Sequence, residues 1–220
     1  MTRRARRCAP PALLALAVAA LVALTAGCGG GDDTAASAAP AATTTAAAAP
    51  ADPREGYFTQ QESGVLNPPL AALNAAAVRF DRQLEPCDRK AQRLFAAGRT
   101  ARASIGCHLR LTTAMRDASR GVARAARGID GDFRPECTRE LRRFVAAATK
   151  LQAAWQTGLD NWNGYARGNA AATARVTASA NRAQARTRAF LLGESPVVAL
   201  SKACYTAEDL AAAARTTTKD

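Results

Sequence analysis

The chain predicts an all-α fold: an up-down-up-down four-helix bundle with a short C-terminal helical extension, stapled by disulfides. Three observations point there. Apolar residues recur at spacings of three and four over long stretches, which is the period of one helix face. Glycine and proline punctuation divides residues 67–214 into segments of several turns each. No stretch shows the two-residue alternation of a half-buried strand.

The first segment is expected to open at Asn67, a good N-cap, with Pro68 at the first helical position, where its missing N–H is harmless. Leu70, Leu73, Ala77, Phe80, Leu84, Cys87, Ala91 and Leu94 then form one stripe. Pro86 is expected to kink or restart the helix near Leu84, and Gly98 to end it. A second helix over Arg99 to Arg127 carries Ile105, Leu109 or Leu111, Met115 and Val122, and stops at Gly128-Ile129-Asp130-Gly131.

A third opens near Pro135 and presents Cys137, Leu141, Phe144, Ala148, Leu151, Trp155, Leu159 and Trp162, with Gly164 and Gly168 marking its end. Asn169 caps an Ala-rich fourth helix with Val176, Ala183 and Phe190 facing inward. Glu194-Ser195-Pro196 breaks the chain, and a short fifth helix is expected over Val197 to Ala214.

This order of hairpins predicts the cysteine pairing. Across a turn near Gly98, Cys87 and Cys107 lie at similar heights. Across a turn near Ala166, Cys137 falls opposite about position 196, close to the segment bearing Cys204. The pairs expected are Cys87–Cys107 and Cys137–Cys204, each worth ~2–4 kcal/mol, with the other two connectivities left open by spacing alone. None of the four sits in a CxxC pair, and His108 is the single histidine of the chain, so neither a metal site nor any other cofactor is expected.

Charge gives the candidate binding residues. The chain carries a formal net charge of +12. Arg116, Arg120, Arg124 and Arg127 are spaced four, four and three, so they share one face of the second helix. From Arg99 to Arg127 the only acid is Asp117, and from Asn161 to Gly193 there is none. Such faces attract an acidic partner or an anionic polymer; a solvated face in an Arg-biased proteome produces the same pattern.

Trp155 and Trp162, seven apart, fall on one side of the third helix, as core residues or as an aromatic anchor for a partner. Asp81, Glu85 and Asp88 also share a face, but Arg79, Arg82 and Arg89 interleave with them as in ordinary surface ion pairing. His108 lacks an evident Asn or Asp partner nearby in sequence, and an oxidised Cys107 is no nucleophile. No catalytic set is assigned.

The N-terminus addresses the chain. Arg3, Arg4, Arg6 and Arg7 precede an apolar run from Ala12 to Ala23 that is too short for a normal membrane span, followed by Leu24-Thr25-Ala26-Gly27-Cys28. This resembles the signal and lipobox of bacterial lipoproteins. The resemblance implies cleavage after residue 27, a diacylglyceryl group on Cys28, and residence on the outer face of a membrane. Neither arginine pair is followed by the apolar pair of a twin-arginine signal, so Sec export is preferred. Loss of residues 1–27 removes four arginines and no acid, lowering the charge from +12 to +8.

Residues 28–52, rich in Ala and Thr, are expected to form a tether with a reach of roughly 25–30 Å. Residues 53–220 form the bundle domain, with about 165 residues for one core.

Trp162-Asn163-Gly164 at an expected helix–helix turn, followed by Tyr205 and Asp209, is similar to the bipartite signal of the small WXG helical hairpins exported by type VII machinery. Pro196 between the two motifs and the complete N-terminal signal count against that likeness. The function expected is a non-catalytic interaction or structural module of the cell envelope. The alternative is electrostatic binding of anionic envelope polymers or lipid head groups through the Arg faces, and an envelope enzyme is a remoter one. The expected partners are the membrane through the lipid anchor and an envelope protein or anionic polymer, not nucleic acid and not a metal.

Overall fold

The computed structural model describes residues 55–217. The export signal, Cys28 and the tether expected through residue 52 lie outside the described residues. Seven helices follow one another, with no strand among the described residues: α1 (Gln60–Ala96), α2 (Ala101–Ser104), α3 (Gly106–Arg127), α4 (Pro135–Ala166), α5 (Ala170–Leu191), α6 (Pro196–Cys204) and α7 (Ala207–Thr217). The long helices α1, α3, α4 and α5 alternate in direction, with α1 packed on α3, α3 on α4 and α4 on α5. The short α6 lies against α4 and carries α7 beyond it. The architecture is the expected bundle with a helical extension.

The bundle therefore has two ends. The entry end gathers the start of α1, the end of α3, the start of α4, the end of α5, and α6. The far end gathers the end of α1, the start of α3, the end of α4 and the start of α5. At 1.5 Å per residue, the 37 residues of α1 separate the two ends by roughly 55 Å.

The first helix begins earlier than its sequence signals indicate. Thr59, not Asn67, is the N-cap: its hydroxyl accepts from Gln61 N–H at 3.1 Å, and the Glu62 carboxylate accepts from Thr59 N–H at 2.8 Å. Asn67 and Pro68 are interior residues. Nor does Pro86 restart the helix, because α1 runs unbroken through Pro68, Pro69 and Pro86. A proline frees the carbonyl four residues back. Those residues are Gly64, Val65 and Arg82, all exposed, so the freed carbonyls are open to solvent. Meanwhile Leu66, Leu70, Leu73 and Phe80 are buried on the opposite side, and their packing keeps the helix continuous through the defects.

Two further boundaries differ from expectation. The second segment is split at Ile105, where φ −97° and ψ 6° end α2 and begin α3. Ile105 is only 2 % exposed, so the break turns an apolar side chain into the core. The C-terminal extension is split at Tyr205, in extended conformation between α6 and α7. Thr206 and Asp209 supply the reason: the Asp209 carboxylate accepts from the Thr206 hydroxyl at 2.7 Å, and the Thr206 hydroxyl accepts from Asp209 N–H at 3.1 Å. That reciprocal cap starts a new helix.

The core is slim and aromatic at its centre. Trp155, 1 % exposed, meets Phe80 edge-to-face at 5.0 Å and donates its indole N–H to the Thr187 hydroxyl at 3.0 Å. Phe144 and Phe190 meet at 5.1 Å between α4 and α5. Cys87 joins Cys107 across α1 and α3 with Cα atoms 5.5 Å apart, and Cys137 joins Cys204 across α4 and α6 with Cα atoms 4.8 Å apart. The first pair staples the far half of the bundle and the second staples the entry end.

Candidate functional site

The far end collects the groups with surface chemistry. Trp162 and Tyr165, on the last turns of α4, stand 6.1 Å apart edge-to-face, and Tyr165 reaches Phe95 of α1 at 6.3 Å. His108, on the first turns of α3, stacks on Trp162 at 4.7 Å. The result is a row of rings across three helices. Its inner member, His108, is 5 % exposed; its outer member, Phe95, is 40 % exposed.

His108 has a partner that sequence proximity could not show. Asp88, the residue after Cys87 on α1, lies 2.8 Å from His108 Nε2. A carboxylate only accepts, so Nε2–H donates. The ring's Nδ1 is buried with no hydrogen-bond partner among the described residues. The Cys87–Cys107 staple sets this contact, since the neighbouring residues Asp88 and His108 follow the two sulfurs in sequence. Of the three carboxylates expected on one face, Asp88 is thus taken up by His108 and Glu85 pairs with Arg89.

Around the ring row the surface is basic. Lys90, Arg93, Arg99, Arg102, Arg110 and Arg167 are all exposed, and none forms an ion pair with a described carboxylate. They come from the end of α1, the following loop, α2, the start of α3 and the turn after α4. The helices α2, α3 and α5 also begin here without an acid in the first turn, so their positive poles add to the field.

The arginine face chosen from the sequence runs along α3 away from this end. Arg120, Arg124 and Arg127 are exposed and Arg116 is half-buried, and two of the four, Arg116 and Arg127, reach across to α4. Arg116 donates to Gln156 at 3.3 Å and lies 2.6 Å from Asp117, and Arg127 donates to Thr149 at 3.1 Å. Half of that face is therefore engaged in packing two helices together.

The two tryptophans part company. Trp155 is buried in the core and cannot serve as an anchor for a partner, because its ring and its N–H are both spent within the bundle. Trp162 keeps partial exposure in the ring row. Trp162-Asn163-Gly164 does not form a turn either; it lies inside α4, and the turn follows at Arg167-Gly168, with Gly168 at φ +77°. Gly164 is required by contact instead, since a Cβ there would stand 2.5 Å from Ala172 Cβ of α5. Tyr205 is 4 % exposed in the entry-end core, and Asp209 caps α7. Helix packing and capping account for the motif residues that resembled a secretion signal.

The entry end is a sealed plug. Phe58 meets Phe133 at 5.2 Å and Tyr205 at 5.7 Å, both edge-to-face, and its N–H donates to the Cys204 carbonyl at 2.8 Å. Arg134 stacks on Tyr57 at 4.5 Å and its N–H donates to the Gly56 carbonyl at 3.0 Å. Burial pushes the Tyr205 phenol above its ordinary pKa of 10.0; Ser63 opposes that shift, and the charges of Asp209 and Glu62 add to it. Burial also pushes Glu62 upward, but its hydrogen bonds to Thr59 and to its own backbone N–H outweigh that and hold the carboxyl below 4.5.

Between α1 and α5 a cavity of about 20 Å³ opens over Phe80, Met115 and Trp155, with Asp81 and Arg188 at its rim. That volume admits about one water and no organic substrate. Among the described residues no group of three or more His, Cys, Asp or Glu converges as a metal site would, and no helix is long and apolar enough to cross a membrane. No known family model, curated protein or solved structure matches the chain.

The basic stretches from Arg99 to Arg127 and from Asn161 to Gly193 already hold Arg99, Arg102, Arg110 and Arg167. What the sequence does not show is that they gather at one end with Lys90 and Arg93, because they do not fall on one helix face.

Proposed function

We propose that this protein is an exported, lipid-anchored helical module that acts in the cell envelope by binding rather than by catalysis. The observation that carries this reading is the pair of disulfides, Cys87–Cys107 and Cys137–Cys204, which pin both halves of the bundle. Such staples persist in oxidising compartments outside the cytoplasm, and they suit a slim Ala-rich core that must survive there. Cys28 supplies the anchor, residues 29–52 the tether, and the bundle the binding surface.

Two measurements test it. A Cys28→Ser variant should lose acylation and leave the membrane fraction; continued acylation overturns the anchor. Crosslinking on intact cells, followed by recovery under low-salt and high-salt washes, should capture one envelope component.

A second reading is favoured by the basic surfaces: electrostatic binding of an anionic envelope polymer or lipid head groups. Arg120 and Arg124 are exposed on α3, and the far end adds six more exposed cations. Binding of this kind weakens steeply as salt rises, so a component recovered equally at both salt levels counts against it.

A further inference from the structure

We infer that the far end of the bundle, and not the arginine face of α3, is the docking surface, and that its occupant is an anionic envelope polymer built of sugars and phosphodiesters. This rests on the electrostatic reading above and gives it a site and a ligand class.

Charge complementarity is the first argument. Lys90, Arg93, Arg99, Arg102, Arg110 and Arg167 are exposed cations drawn from several elements around one end, and no described carboxylate pairs with them. The acids nearest in sequence are already committed: Glu85 to Arg89, Asp88 to His108, and Asp160 to the Gln156 amide at 2.9 Å. Cations spread around an end, rather than converging on a point, are matched by a chain that offers anionic groups in series. Each contact then releases condensed counterions from the polymer.

The rings give the second argument. Phe95, Tyr165 and Trp162 lie in a row at the same end as these cations, with Phe95 the most exposed of the three. Aromatic faces beside guanidinium groups hold a ligand that alternates flat, weakly polar rings with phosphates. A folded protein partner would need a broad apolar centre, and Phe95 and Val65 are the only large hydrophobic side chains strongly exposed among the described residues, with Val65 near the opposite end of α1. α1 sets these groups at the opposite end of the bundle from its N-cap Thr59, roughly 55 Å away.

The test uses the full acylated chain in detergent micelles. Three probes are titrated at low and physiological salt: a glucosylated poly(glycerol phosphate), inorganic polyphosphate of matched charge, and vesicles containing phosphatidylglycerol. The glucosylated polymer should bind best. The triple change Arg99→Gln, Arg102→Gln, Arg110→Gln should weaken it by about tenfold or more. Phe95→Ala should weaken it several-fold while leaving polyphosphate unaffected. Arg120→Gln with Arg124→Gln should leave it unchanged.

All these positions are exposed, and matching circular dichroism and thermal midpoints confirm folding in each variant. Loss in the α3 pair, with the far-end triple unaffected, overturns the placement and leaves the electrostatic reading standing. Preference for vesicles, or equal loss of polyphosphate on Phe95→Ala, overturns the ligand class. Failure of the unaltered chain to bind any of the three overturns this proposal together with the electrostatic reading, while one envelope protein recovered at high salt would still uphold the binding module.

Discussion

The two ends of this bundle are made from similar parts and put them to opposite use. Each has a cluster of three or more aromatic side chains near a disulfide. At the entry end the rings of Phe58, Phe133 and Tyr205 close on one another, Phe58 and Tyr205 are 6 % and 4 % exposed, and the surrounding charges serve caps and backbone contacts. At the far end the ring row opens outward to Phe95, and six cations stand unpaired with described carboxylates. The contrast teaches that aromatic content alone does not mark a binding surface. What separates plug from shelf is whether the backbone around the rings is folded back over them. The Phe58 N–H bond to Cys204 and the Arg134 N–H bond to Gly56 do that at one end only.

The largest expected effect concerns the staples. Cys137–Cys204 closes 67 residues and Cys87–Cys107 closes 20. By loop entropy, opening the first by Cys→Ser changes should cost about 4.4 kcal/mol and opening the second about 3.3 kcal/mol, read from urea midpoints. A larger loss at the far end would break the picture of a sealed entry end.

Nearly as large is the difference between two phenylalanines. Phe58→Ala removes a buried ring and should cost about 3–5 kcal/mol. Phe95→Ala removes an exposed one and should change stability by about 0.5 kcal/mol or less. Equal losses would mean that the far-end rings are structural.

Smaller again is Gly164→Ala, which forces a methyl to within 2.5 Å of the Ala172 Cβ across the α4–α5 contact. It should cost about 1–3 kcal/mol by overpacking, and Gly164→Ala with Ala172→Gly should recover part of it. Such recovery identifies packing, rather than a secretion motif, as the need for this glycine.

The smallest effects are pH-dependent and confined to the entry end. Glu62 titrates below its ordinary value in the folded chain, so its stabilisation is present above pH 4.5 and fades as pH falls through the folded value. The stability lost in Glu62→Gln should therefore shrink in acid. Tyr205 titrates above 10.0, so its contribution is present below pH 10 and fades as pH rises through the folded value. Phenolate absorbance should show one tyrosine ionising later than the others, and Tyr205→Phe should abolish that late step.

Much of this protein was legible in the order of its residues. The all-α class, the four long antiparallel helices, the cap at Asn169 and the stop near Gly168 follow from local rules: a period of three to four, a side chain that bonds its own backbone, a glycine at positive φ. The cysteine pairing followed once hairpin heights were compared, because antiparallel rods convert sequence distance from a turn into position along the bundle. Tertiary structure decided the rest. Three prolines lie within one unbroken helix because burial of Leu66, Leu70, Leu73 and Phe80 outweighs local defects facing water. Trp155 went to the core and Trp162 to the surface although both share a helix side, since one faces Phe80 and Thr187 and the other a rim. Asp88 met His108, and the far-end cations came together from several elements, through contacts between residues far apart in the chain. Periodicity reports the face a residue takes on its own helix, and only packing sets what that face meets.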